Sequence, residues 1–411
     1  MYTLVKRTDI PIIQSLLDLD LYKLTMGQFI WKNHQDVQVT YALTNRHADR
    51  VAIARLVDIG KLKEELAHVR TLRLTEEEKK YLLGVGCFTK EYVDFLATLT
   101  LPEVMVKHDG DQYAITATGP WKTAVYWETI ILAVVNELIG KGRAGEVTDL
   151  YLDHGRVLLE KKIQRLRTTP QLAFVEFGTR RRFSFAWQKE LIARLTQELP
   201  AQLAGTSNVH LAMRNNIKPV GTFAHEMTMV YAALAPQEQE ERIRESHKQF
   251  LDAWWQMYGE PYSIALTDTW SADFFFETFT KKQALLWKGL RHDSGNPFVW
   301  GEKFLAFYHA HGIDPKEKTM LFSDGLDIEI MQKLYKRFAP YAKVAYGWGT
   351  NLTNDVWVPA TSIVVKVVEV NGVATVKLSD NLAKAMGPKN LVKEYAKIFR
   401  HPGAPWERCA Y

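Results

Sequence analysis

Arg291 and Asp293 stand two apart in Arg291-His292-Asp293-Ser294-Gly295-Asn296-Pro297, so on a persisting strand pleat their side chains project the same way. The guanidinium suits a phosphate or carboxylate held by two parallel hydrogen bonds. The carboxylate suits sugar hydroxyls or a hard cation such as Mg²⁺; the plainer alternative is a surface ion pair before a capped turn. Asp268, after another apolar run, offers a second carboxylate with the same ambiguity. His225 follows Gly221-Thr222-Phe223-Ala224 and precedes Glu226. An imidazole there could be a base, a nucleophile, a ligand or simply the start of a helix.

Glu176-Phe177-Gly178-Thr179-Arg180-Arg181-Arg182 joins an aromatic ring to three arginines. A flat ring could stack on Phe177 while an arginine meets its anionic group. As a solvated helix start the run fits less well, because the helix dipole disfavours cations there. Two glycine-bearing turns, Ser323-Asp324-Gly325-Leu326-Asp327 and Gly347-Trp348-Gly349-Thr350-Asn351, could cradle a phosphate through backbone N–H groups, with Ser323 and Thr350 adding hydroxyls. No Walker loop, dinucleotide fingerprint or zinc-spaced Cys/His cluster accompanies them.

These groups share one placement, at the ends of short apolar runs at 172–177, 202–204, 219–220, 262–266, 285–290, 320–322 and 343–346. Helical patterns at 148–167, 180–199, 237–258 and 327–338 lie between them, with apolar residues at three- and four-residue spacing. Repeated strand–loop–helix units imply a parallel sheet. So many chemically rich strand ends favour an irregular (β/α) barrel, whose mouth gathers them. Hairpin signals at 104–118, around Asp109-Gly110, and at 362–378, around Asn371-Gly372, bracket this region. The expected fold is therefore α/β: a barrel-like domain at 141–359 and a smaller α+β domain built from 1–140 and 360–411.

The chain has 411 residues, 47% hydrophobic and 24% charged, which excludes disorder and coiled-coil architecture. Its net charge of +5 is too diluted for nucleic acid but suits an anionic small molecule. Cys87 and Cys409 read as unpaired thiols of a reducing compartment. Asp9, Asp18 and Asp20 break the first apolar stretch, so no signal peptide is expected. The apolar stretch at 130–135, between Glu128 and Glu137, falls short of the ~20 residues that span a bilayer. A cytoplasmic protein without membrane contact is expected.

Read together, the motifs resemble the type II phosphoribosyltransferases, and most closely the nicotinate phosphoribosyltransferase family. The similarity begins at Asp20-Leu21-Tyr22-Lys23-Leu24-Thr25-Met26 and includes Gly205-Thr206-Ser207-Asn208 besides the motifs above. The resemblance implies formation of nicotinate mononucleotide from nicotinate and phosphoribosyl pyrophosphate, in NAD salvage. It implies coupling to ATP through a transient phosphohistidine at His225, releasing pyrophosphate, ADP and phosphate, as a C–N bond-forming ligase. Arg291, Asp293, Glu226 and Asp268 would act beside His225, with Glu226 or Asp268 orienting its ring. Tyr22, given across a homodimer by the partner subunit, and Phe177 would sandwich the pyridine, near Gly178, Arg180 and Thr222. Asp293 would engage the ribose hydroxyls. Ser323, Asp324, Gly325, Gly347, Gly349 and Thr350 would hold the 5′-phosphate. Mg²⁺ would accompany pyrophosphate and ATP, with no organic prosthetic group. Nicotinamide-using relatives carry an aspartate where this chain has Ser207, so Ser207 is expected to face the ring and favour nicotinate. The alternatives are a nicotinamide or quinolinate phosphoribosyltransferase and a non-catalytic nucleotide-binding protein.

Overall fold

A computed structural model describes residues 10–403; Asp9 and Cys409 lie outside the described residues. Strand β1 (Gln38–Asn45) pairs antiparallel with β3, described next, and with a strand from the other end of the chain. β2 (Val104–Asp109) turns at Gly110, φ 57°, into β3 (Gln112–Pro120). The parallel strands are β4 (Phe174–Glu176), β5 (Leu203–Thr206), β6 (Ile264–Leu266), β7 (Gly289–His292), β8 (Thr319–Phe322) and β9 (Lys343–Trp348). β10 (Ile363–Val370) then returns as β11 (Val373–Ala374) through Asn371 and Gly372, at φ 48° and 84°, the two positive angles that a tight type I′ turn requires. The antiparallel sheet runs β11-β10-β1-β3-β2, so segments distant in sequence share it.

The parallel sheet runs β5-β4-β9-β8-β7-β6. Residues 219–220 do not form a strand of their own. They extend the edge at β5 through one bridge, with Thr206 N donating to Lys218 O at 3.1 Å and Val220 N to Thr206 O at 2.9 Å. Beyond it the Thr222 hydroxyl donates to Ile264 O of β6 at 3.4 Å. The segment 218–222 thus touches both edge strands of the sheet through single contacts, and among the described residues no continuous ladder joins β5 to β6.

Two expectations change. The run 285–290 is not one strand, because Thr280 and Gln283 form a capping box that starts a helix at Lys281–Leu286; β7 begins only at Gly289. The helical stretch Trp121–Ala144 is long and apolar enough to cross a membrane, yet 94% of its apolar window is buried inside the protein. It is a core helix.

Gly205 sits at φ 147°, and a Cβ there would fall 2.2 Å from Lys218 O. Gly205→Ala should therefore lower stability by ~2 kcal/mol or more through strain and overpacking, read as a reduced denaturation midpoint with an unchanged slope.

Candidate active site

The C-terminal ends of the parallel strands open into a cleft that is continuous with solvent at its mouth and has a cavity volume of about 140 Å³. Four arginines (Arg46, Arg180, Arg181, Arg291) and three lysines (Lys366, Lys377, Lys384) line it, against Asp293 and Asp324. That excess of cations at a concave, partly desolvated surface focuses a strong positive potential, suited to a polyanion. Tyr22 and Phe177 line it too, as do Ser323, Gly325, Gly347, Gly349 and Thr350.

Asp293 ties the floor together. Its Oδ1 accepts from Arg291 Nη2 at 2.9 Å and Ser323 Oγ at 2.7 Å, while Oδ2 lies 3.1 Å from His225 Nε2. Burial acts to raise its pKa, but Arg291, His225 and Arg180 together hold it well below the usual carboxylate range. Asp268 Oδ1 stands 3.9 Å from the same nitrogen, and the Thr269 hydroxyl is 3.0 Å from His225 Nδ1. Burial, with Lys377 nearby, pushes the His225 pKa down to about 4 against both aspartates. The imidazole is neutral at pH 7, with Nε2–H donating to the ionised Asp293. Burial also pushes Lys377 down to about 8.

Glu226, expected beside the histidine ring, is elsewhere. It accepts from Tyr41 Oη, from Trp121 Nε1 at 2.8 Å and from Lys23 Nζ at 2.5 Å. It anchors the first turn of the helix His225–Leu234 and so fixes where His225 points, while Asp268 and Asp293 are the carboxylates at the ring. Ser207 does not face the cleft. It is fully buried and donates to Asp20 Oδ1 at 2.5 Å, so a carboxylate already stands at the place whose emptiness was to favour nicotinate. Thr222 spends its hydroxyl on the seam with β6.

Tyr22, expected from a partner subunit, lines the cleft of its own chain. Leu21 N donates to Ser207 O at 2.7 Å and Val209 N to Leu19 O at 3.0 Å. Asp18 receives Arg182 at 2.6 and 2.8 Å, with both side chains fully buried. These bonds dock the helix Leu21–Asn33 onto the strand ends, and Arg180 Nη1 donates to Tyr22 Oη at 3.2 Å. The arginine run therefore divides: Arg180 and Arg181 line the cleft, and Arg182 holds the N-terminal segment.

Gly178 packs so closely that a Cβ would fall 2.0 Å from Thr353 Oγ1. Gly347 and Gly349 pass against Phe177 with similar economy: a Cβ on Gly347 would lie 3.2 Å from its ring. Asp324 presents no free acid to a phosphate, since Lys384 Nζ pairs with it at 2.7 Å. The sequence reading missed Arg46, Lys366, Lys377 and Lys384. Only Lys366 carried a signal, as a lone cation within the apolar run Ile363–Val370.

A parallel α/β sheet with a cation-lined cleft, glycine turns and a neutral buried histidine at its strand ends defines an enzyme for phosphorylated substrates. The nicotinate phosphoribosyltransferase (NAPRTase) family model matches residues 172–403, and the N-terminal domain model of the same family matches 17–136. A nicotinate phosphoribosyltransferase of Cupriavidus necator is 40% identical over 383 residues, covering 91% of this chain and 95% of that one. Two crystal structures of nicotinate phosphoribosyltransferases are similar over nearly the whole chain. The one from Vibrio cholerae has a TM-score of 0.86 at 33% identity, covering 97% of this chain and 96% of that one. The one from Porphyromonas gingivalis has 0.83 at 30%, covering 95% and 100%. The chain belongs to the nicotinate phosphoribosyltransferase family.

Two outcomes follow from the electrostatics. Glu226→Gln leaves Lys23 with one buried partner fewer, and should destabilise by about 3 kcal/mol, in the range for breaking buried ion pairs, as measured by denaturant unfolding. His225, with its folded pKa near 4, below the ordinary 6.5, takes up its proton more readily when unfolded. It therefore costs stability as pH falls from 6.5 towards 4. An NMR titration should find the folded ring still neutral at pH 6.5; a midpoint there would contradict this.

Proposed function

We propose that this chain joins nicotinate to C1 of phosphoribosyl pyrophosphate, and couples the step to ATP hydrolysis through transient phosphorylation of His225. The observation that carries the reading is the meeting, in one cleft, of paired aromatic residues, a large excess of cations and a neutral, hydrogen-bonded histidine.

Nicotinate's ring lies between Tyr22 and Phe177, with Arg180 meeting its carboxylate. The ring nitrogen's lone pair forms the C1–N bond as the C1–O bond breaks and its electrons leave with pyrophosphate. Arg46, Lys377 and Lys384 offset the leaving charge. Asp293 engages the ribose hydroxyls, and the backbone around Gly325, Gly347 and Gly349, with Ser323 and Thr350, takes the 5′-phosphate. Catalysis is positioning and charge stabilisation.

In the coupled path, Nε2 of His225 attacks the γ-phosphorus of ATP and ADP departs with the electrons of the broken P–O bond. Nε2 faces Asp293 in the cleft and Nδ1 faces buried Thr269; with Asp293 ionised their 3.1 Å contact is a donation from Nε2–H, so attack by Nε2 requires the ring proton to pass to Nδ1, where the Thr269 hydroxyl accepts it. Water later releases phosphate. Mg²⁺ fits here: donor atoms of His225, Asp268 and Asp293 lie within 4.8 Å of one another, and Mg²⁺ is commonly held by one or two carboxylates plus substrate phosphates. Asp293, which lines the cleft, would hold it, and the ion would neutralise phosphate charge.

His225→Ala should abolish ATP hydrolysis and ATP's acceleration while keeping a slow ATP-independent transfer; full ATP coupling in that variant contradicts the phosphohistidine. Tyr22→Ala should raise the KM for nicotinate roughly 2- to 12-fold, the worth of one aromatic contact. Any mixed assembly should show that defect in the site of the mutated chain itself.

A further inference from the structure

Beyond β11 lies a buried serine that the proposed reaction leaves unused. Ser379 is fully buried and sits at φ 70°, a left-handed conformation that a non-glycine residue keeps only where its surroundings impose it. Here the Leu378 and Ser379 amides both donate to Thr269 O, at 3.0 and 3.2 Å, and His401 Nε2 lies 2.9 Å from Ser379 O. Thr269 is the residue whose hydroxyl meets His225 Nδ1.

The Ser379 hydroxyl lies 2.8 Å from Ser294 Oγ, and Ser294 donates to Asp268 Oδ2 at 2.5 Å. The Asp380 amide completes the cluster, donating to Ser294 Oγ at 3.2 Å. The other oxygen, Asp268 Oδ1, is buried without a hydrogen-bond partner and stands 3.9 Å from His225 Nε2. A bare buried carboxylate oxygen is costly, so something must hold the group in that orientation.

We propose that Ser294 and Ser379 are positioning residues for phosphoryl transfer. Together they hold Asp268 with Oδ1 turned to the His225 ring, where it offsets the positive charge the imidazole acquires when Nε2 is phosphorylated. This rests on the phosphohistidine reading above. The N–P bond forms, the P–O bond to ADP breaks, and the proton stays on Nδ1 with Thr269 as its acceptor. Neither serine lines the cleft where nicotinate and the ribose would bind, so the pair serves the ATP-coupled path and not the direct transfer.

Ser379→Gly removes one hydroxyl while suiting the positive φ, and Ser294→Ala removes the other. Rapid-quench labelling with γ-phosphate-labelled ATP gives the phosphorylation rate. Steady-state assays give the KM for nicotinate and the ATP-independent rate. Each variant should be phosphorylated about tenfold or more slowly, the scale of losing a group that orients a functional ligand. Nicotinate KM and the ATP-independent rate should stay within about twofold. An unchanged phosphorylation rate overturns the proposal, as does an equal loss of both reactions with a lowered melting temperature. His225→Ala separates the two claims: its label should vanish, and a label that persists overturns the phosphohistidine reading itself.

Discussion

One buried carboxylate, Glu128, governs how this molecule tolerates its own active site. It pairs with Lys23 and Lys366, each at 2.6 Å, and stands 3.8 Å from Arg180. Those cations come from the helix Leu21–Asn33, from β10 in the antiparallel sheet, and from the loop after β4. Glu128 itself lies on the core helix Trp127–Ala144. Burial alone would push its pKa up, but Lys23, Lys366 and Arg180 hold it far below the usual range. A cleft for a polyanion must gather like charges before the ligand arrives, and unpaired buried charges are prohibitive. Glu128 behind Lys366 and Arg180, Asp324 beside Lys384, and Asp293 beside Arg291 meet that demand.

The same pairing explains why the two sheets form one site. The parallel sheet supplies His225, Arg291, Asp293 and the glycine turns; the chain after β9 supplies Lys366, Lys377 and Lys384. Trp270 and Phe399 stack at 4.0 Å and 7°, which fastens the C-terminal helix Lys389–Ile398 close to the Asp268–Thr269 loop. The residues around His225 are thus placed by contacts from several distant segments, as a preorganised site requires.

Legibility in the sequence followed the range of the forces involved. The hairpins at Asp109-Gly110 and Asn371-Gly372 were readable because a positive φ is a local demand. Strand ends at Arg291–Asp293 and the glycine turns were readable because small and reactive residues interrupt apolar runs. What escaped depends on partners distant in sequence. Ser207 meets Asp20 across 187 positions, and Glu226 meets Lys23 across 203, so neither side chain's direction follows from its neighbours. Tyr22 was assigned to a partner subunit by resemblance, whereas the hydrogen bonds of 17–21 to 207–210 bring it to its own chain. Lys377 and Lys384 carry no local signal, and only the tertiary fold encloses them.

On the proposed function, this cationic cleft, with His225 beneath it, makes nicotinate mononucleotide with ATP's help. The most direct measurement is product formation by the purified protein with phosphoribosyl pyrophosphate and Mg²⁺, with and without ATP, offered nicotinate, nicotinamide or quinolinate. ATP-stimulated nicotinate mononucleotide, with little product from the other two, is the expected result. Preferential turnover of nicotinamide or quinolinate, or nicotinate turnover indifferent to ATP, would contradict it.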